Sequence, residues 1–167
     1  MDRAQADYMG MIGTMINALA FADALRHAGV DARVLSALRM ESVAETFTRS
    51  KALFHLEAGR AVVFAAGTGN PFFTADAAAA LRGAEIGAGI LLRADKADGI
   101  RIRPGDEPAA KLSFDQAIDG ELGPMDATAL SLCRERNLPC RIFPISHPGA
   151  IVAILGGSSL GTAIGEP

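Results

Sequence analysis

RAVVFAAGTGNPFFTAD, residues 60–76, is the stretch on which the fold turns. It opens on the strand-like segment 60–66, apolar throughout after Arg60, crosses two glycines, an Asn-Pro step and two phenylalanines, and leads into an alanine-rich run after Asp76. A short uninterrupted apolar run predicts a strand buried on both faces. Thr74 reads as the N-cap of a helix to about Ile86, with Asp76 in its first turn. Strand, loop and helix in that order form half of a βαβ unit. Loops of this kind are where open α/β sheets seat their ligands.

The same alternation extends in both directions. Upstream, a helix over 9–28 ends at Gly29, a strand covers 32–36, and a helix over about 43–58 is closed by Gly59. Downstream come a strand over 89–93, a loop region through Pro108, a helix around 126–136 and a strand over 140–145. A short helix after Pro148 and a last edge strand near Gly161 complete the pattern. Apolar strands separated by helices predict an α/β fold, a three-layer α/β/α sandwich around a mainly parallel sheet with right-handed crossovers. At 167 residues the chain is expected to form one domain over 1–167.

Composition narrows the function. Half of the residues are apolar and the net charge is −3, from 16 basic and 19 acidic residues. That balance offers no basic footprint for nucleic acid and no cationic face for a membrane. Trp is absent and Tyr8 is the single tyrosine, so no aromatic platform for stacked bases is expected. Cys133 and Cys140 read as buried thiols, and His27, His55 and His147 as surface or capping side chains. No metal set is expected from them, and a reducing cytoplasm fits best. The run over 9–22 has the length of a signal-peptide core. However, Asp2 and Asp7 spoil a positive leader, and Ile12, Met15, Ile16 and Leu19 recur at helical spacing. No stretch reaches the 18 or so apolar residues of a membrane span.

The loop over 67–76 has its own chemistry. Gly67 and Gly69 let a ligand approach the main chain, and Asn70-Pro71 imposes an extended or turn conformation. The helix start offers unpaired N–H groups and partial positive charge, a seat for an anion. Phe72 and Phe73 supply either a flat wall for a base or plugs for the core, and an ordinary tight turn remains the competing reading. The segment is not a dinucleotide fingerprint, because the third glycine is missing. Nor is GGSSLG (156–161) a Walker loop, because the Lys-Ser/Thr pair is missing.

Five segments taken together, DYMGMIGTMINALAFADAL, RVLSALRMESVAE, VVFAAGTGNPFFTAD, AAALRGAEIGAGILLRADKADGI and MDATALSLCRERNLPCRIF, resemble the bacterial UMP kinases of the amino-acid kinase superfamily, in the same order. The closing HPG and GSSLGTAI segments echo the C-terminal end of that family. The resemblance implies transfer of the γ-phosphoryl group of MgATP to UMP in pyrimidine nucleotide synthesis, by a cytoplasmic homo-oligomer, usually a hexamer. By position it implies that Asp7 holds the UMP ribose. It implies that Thr68, Gly69, Asn70, Pro71, Phe72, Phe73, Thr74 and Ala75 line the UMP site. Asp76 and Asp126 match acidic residues beside the reaction centre, where they organise the metal and cationic groups. Asp95, Lys96 and Arg101 fall where the family contacts ATP.

Read without the resemblance, these positions are ordinary. Asp76 is a first-turn charge and Asp126 an N-cap. Asp7 is a solvated terminal residue, and Arg93, Lys96 and Arg101 form a wet loop face. The resemblance further implies that a family βαβ unit, carrying a Lys-rich segment, a glycine-rich loop and an arginine for phosphate, stands before the matched region. The 167 residues therefore correspond to part of the family domain. Within the matched part, Ala75, Arg39, Asp95 and Arg101 depart from the residues usual in the family. Two readings follow: a UMP kinase, or a non-catalytic nucleotide-binding, regulatory or oligomerisation protein of the same fold.

Overall fold

The computed structural model describes residues 1–165, which form two compact units, 1–78 and 79 onward. The first opens on helix α1 (Arg3–His27) and continues through strand β1 (Ala32–Ser36), strand β2 (Glu45–Thr46), helix α2 (Arg49–Glu57) and strand β3 (Ala61–Ala65). Its sheet has the order β2-β1-β3 with every pair parallel, and β1 and β3 run in register from Ala32↔Ala61 to Ser36↔Ala65. Met15, Ala18 and Ala22 of α1 pack with Ala32, Val34 and Ala65 of the sheet. The alanines let the helix lie close to the strands, so the backbone of the loop after β3 comes within reach of side chains on α1.

Several elements differ from the sequence expectation. Helix α1 begins at Arg3, not at residue 9, because the Asp2 carboxylate accepts the Gln5 N–H at 3.1 Å and starts the helix early. This change places Asp7 on the helix. Residues 43–48 are not helical: β2 pairs with β1 there, and the Thr48 hydroxyl, accepting the Lys51 N–H at 3.3 Å, starts α2 later. Strand β3 is half-buried over most of its length rather than fully buried. His55 is buried rather than on the surface, its ring nitrogens met by Glu45 at 3.0 Å and Arg60 at 3.1 Å. By length and composition α1 would suffice to cross a membrane, although its apolar run is interrupted by Thr14 and Asn17. One face of it is core.

Helix α3 (Ala75–Ile86) leads into the second unit. There follow β4 (Leu91–Asp95), β5 (Lys111–Leu112), α4 (Phe114–Asp119), α5 (Ala127–Glu135), β6 (Cys140–Pro144), α6 (Ala150–Leu155) and β7 (Thr162–Ile164). The sheet order is β4-β6-β7-β5, with β4–β6 and β5–β7 parallel and β6–β7 antiparallel. The fold is α/β with mainly parallel pairing, as expected. Strand β7 is not an edge strand: it lies between β6 and β5 and is buried throughout. Two-residue β5 and one-and-a-half-turn α4 escape a periodicity argument through brevity, although Ser113 and Gln116 close a full capping box. Ile100, Leu130, Cys133, Cys140, Ile142 and Ile164 are among the core of this unit.

Candidate functional site

In the first unit, the loop between β3 and α3 and one face of α1 enclose a cleft of about 250 Å³. Helix α1 contributes Asp7, Gly10, Met11 and Thr14, which recur at three- and four-residue spacing and so share a face. The loop contributes Thr68, Asn70, Phe73, Thr74 and Ala75. Six of the nine residues expected at the UMP position, counting Asp7, therefore line one cleft. Gly10, Met11 and Thr14 were not singled out in the sequence. Their spacing from Asp7 marks them once Asp7 is known to be helical.

Short hydrogen bonds build the loop. Thr68 Oγ1 accepts the Asn70 N–H at 3.1 Å, and the Gly69 N–H donates to the Ala66 carbonyl at 3.0 Å. Gly69 has φ +82°, and a Cβ there would stand 3.1 Å from the Ala37 carbonyl oxygen. The close approach that requires this glycine is to the chain's own backbone. Thr74 Oγ1 accepts the Ala77 N–H at 3.0 Å and caps α3, with Asp76 in the first turn. Phe72 and Phe73 are 67% and 54% exposed, so they do not plug the core. Phe73 lines the cleft, whereas Gly69, Pro71 and Phe72 are not part of its wall.

Asp7 is the ionised group of this cleft. Its Oδ2 accepts the Phe72 N–H at 2.7 Å, and Arg3 Nε donates to both carboxylate oxygens, at 2.9 and 3.1 Å. The Phe72 N–H, helped by Arg3, holds this carboxyl below the usual aspartate range.

The other expected residues belong to the second unit. Asp126 caps α5, its Oδ1 accepting the Ala129 N–H at 2.9 Å, and it lines a separate concavity of about 260 Å³ with Met125 and Leu130. Asp95 ends β4, pairs with Arg93 and accepts the Ala97 N–H at 3.0 Å. That backbone bond first, then Arg93, lowers its pKa. Arg101 grips Asp98 through two bonds of 2.7 and 3.0 Å, and Lys96 is exposed. Asp98 and Arg101 shift in opposite directions, Asp98 down and Arg101 up, as a mutual ion pair requires. Among the described residues no group of three or more His, Cys, Asp or Glu side chains could hold a metal. Larger concavities lie beside Arg39 and Lys51, about 460 Å³, and beside Ser113 and Arg134, about 430 Å³, but neither is lined by a residue expected at the UMP or ATP positions.

Against known proteins, residues 1–144 match the model of the Amino acid kinase family. The structure is similar to that of UMP kinase from Ureaplasma parvum, with TM-score 0.93 and 36% identity over 99% of this chain and 73% of that one. It is also similar to UMP kinase from Bacillus anthracis, with TM-score 0.95 and 32% identity over 98% of this chain and 70% of that one. Uridylate kinase from Archaeoglobus fulgidus, 23% identical with TM-score 0.74 over 98% of this chain and 73% of that one, shares the fold.

Proposed function

Because the chain belongs to the amino acid kinase family, we propose that it is a UMP kinase-like phosphotransferase of pyrimidine nucleotide synthesis in the cytoplasm. The observation that carries this reading is the cleft between α1 and the loop over 67–75, with Asp7 on one wall and a capped helix start on the other. In this reading the Asp7 carboxylate accepts the ribose hydroxyls of UMP. The N-terminus of α3, with the Thr68 and Thr74 hydroxyls, receives the phosphate. Phe73 offers an apolar wall to the base. The two kinases above 30% identity act on UMP by name, which supports the choice of substrate.

The reaction moves the γ-phosphoryl group of ATP to a phosphate oxygen of UMP: the bond to the ADP leaving oxygen breaks and a new P–O bond forms, giving UDP and ADP. Mg²⁺ enters with ATP as part of that substrate and supplies charge neutralisation on its phosphates. We assign Asp76 and Asp126 the acidic roles beside the reacting groups, and Asp95, Lys96 and Arg101 the ATP contacts. We further propose a homo-oligomer, supported by the apolar outer side of α1, where Met9, Ile12 and Ile16 are exposed.

A second reading, a nucleotide-binding protein without turnover, draws on the ATP-side residues. Asp95 and Arg101 are engaged by Arg93 and Asp98, their own neighbours. The test is UDP formation from UMP and MgATP, run beside UMP binding by calorimetry. Turnover abolished by Asp76→Asn supports the kinase; UMP binding with no UDP supports the second reading; neither binding nor UDP sinks both.

A further inference from the structure

Ala66 and Phe72 are non-glycine residues with left-handed backbone, at φ 63° and 72°, and they stand at the two ends of the same turn. Such conformations persist only where the surroundings fix them. Beside the Gly69 N–H on the Ala66 carbonyl inside the loop, each of the two receives an anchor from α1. The Ala66 N–H donates to Thr14 Oγ1 at 2.9 Å, and the Phe72 N–H donates to Asp7 Oδ2 at 2.7 Å. Asp7 and Thr14 are two helical turns apart on one face, so a rigid helix sets the distance between the two anchor points. Each anchor is itself aimed. Thr14 donates its hydroxyl proton to the Met11 carbonyl at 2.7 Å, which turns a lone pair toward Ala66. Arg3 Nε holds the Asp7 carboxylate by both oxygens.

From this geometry we infer that Asp7 and Thr14 form a two-point clamp on the loop over 66–72, and that Thr14 is a positioning residue for the nucleotide seat. The inference rests on the functional reading above and gives α1 a part in it beyond the contact of Asp7 with a ribose. The physical argument is preorganisation. A loop already held in its strained form loses little freedom when a ligand binds. Removing the Thr14 hydroxyl leaves the Ala66 N–H without its acceptor and lets the left-handed residue relax, so the seat must be rebuilt at the expense of affinity.

The experiment compares wild type, Thr14→Val and Thr14→Ser of the full chain for UMP and ATP binding by calorimetry, with amide hydrogen exchange at Ala66. Thr14→Val keeps the shape and loses the acceptor; Thr14→Ser keeps the acceptor. The expected result is a UMP affinity about tenfold weaker in Thr14→Val, unchanged ATP affinity, faster exchange at Ala66, and recovery of all three in Thr14→Ser. Wild-type UMP affinity in a folded Thr14→Val overturns the clamp and leaves the functional reading standing. A wild type that binds no UMP overturns the functional reading and the inference with it. If Thr14→Val does not fold, Thr14→Ser decides: binding within about twofold of wild type supports the clamp, and a tenfold loss overturns it.

Discussion

Asp7 shows how much one side chain gains from its setting. In the sequence it is an acidic residue near a terminus; in the fold it accepts a backbone N–H from a loop sixty-five residues away. Its pKa is depressed by that bond, so the folded state binds its proton less readily than the unfolded chain does. The contribution is present above the unfolded pKa and is lost as pH falls through the lower, folded value. The protection of the Phe72 amide, its observed exchange relative to the intrinsic rate at each pH, should therefore fall in the acid range. Asp7→Asn, which cannot ionise, should remove that pH dependence; an unchanged profile in the variant would exclude Asp7 as its source. Gly69 is decided by backbone angle and space together. Gly69→Ala should destabilise by about 1–3 kcal/mol in denaturant unfolding, because the new methyl meets the Ala37 carbonyl oxygen. Thr74→Ala should cost about 1 kcal/mol through loss of the α3 cap. A smaller effect would mean that the helix start is held by other groups.

At the scale of elements, the second sheet turns on how β7 enters it. Gly161 precedes the strand with φ +81°, and a Cβ there would overlap the Ile142 carbonyl oxygen. Backbone cannot yield as a flexible side chain does. Gly161→Ala should therefore destabilise the second unit by more than about 3 kcal/mol; two-dimensional NMR should show its resonances lost or shifted at temperatures where wild type is folded. Wild-type stability would mean that β7 can shift along β6. Thr162 shows what the strand supplies when it is seated: its buried hydroxyl accepts the Ile100 N–H at 2.8 Å. An edge strand was the natural reading of a short terminal run, since nothing local records its two neighbours. Helix α1 was legible as a helix from its spacing. Its start was not, because Asp2 matters only through a bond to Gln5.

For the whole molecule, the outer side of α1 is the feature that sequence periodicity describes least well. The helix is apolar nearly all round, and in this chain only one face meets a core. If that side joins copies of the chain, Ile16→Glu should lower the mass measured by light scattering while leaving the circular dichroism spectrum unchanged. A wild type that is already monomeric would remove the oligomer from the proposed function.

The sequence by itself determined the α/β class, the order of most helices and strands, the family, and the loop at the centre of the candidate site. The class, the elements and the loop follow from periodicity and turn residues, whereas the family is carried by the resemblance of the motifs in their order; all of these are local and survive in a string of letters. The tertiary structure alone decided that β7 is interior, that His55 is buried between Glu45 and Arg60, and that Asp7 and Thr14 hold the loop. Each of these depends on pairing between residues far apart in the chain, where distance and direction, not residue type, select the partner. A hydrogen bond weakens steeply when its partners move more than a few tenths of an ångström from their optimal separation or fall out of line. No spacing along the sequence specifies that geometry until the helix and the sheet are packed.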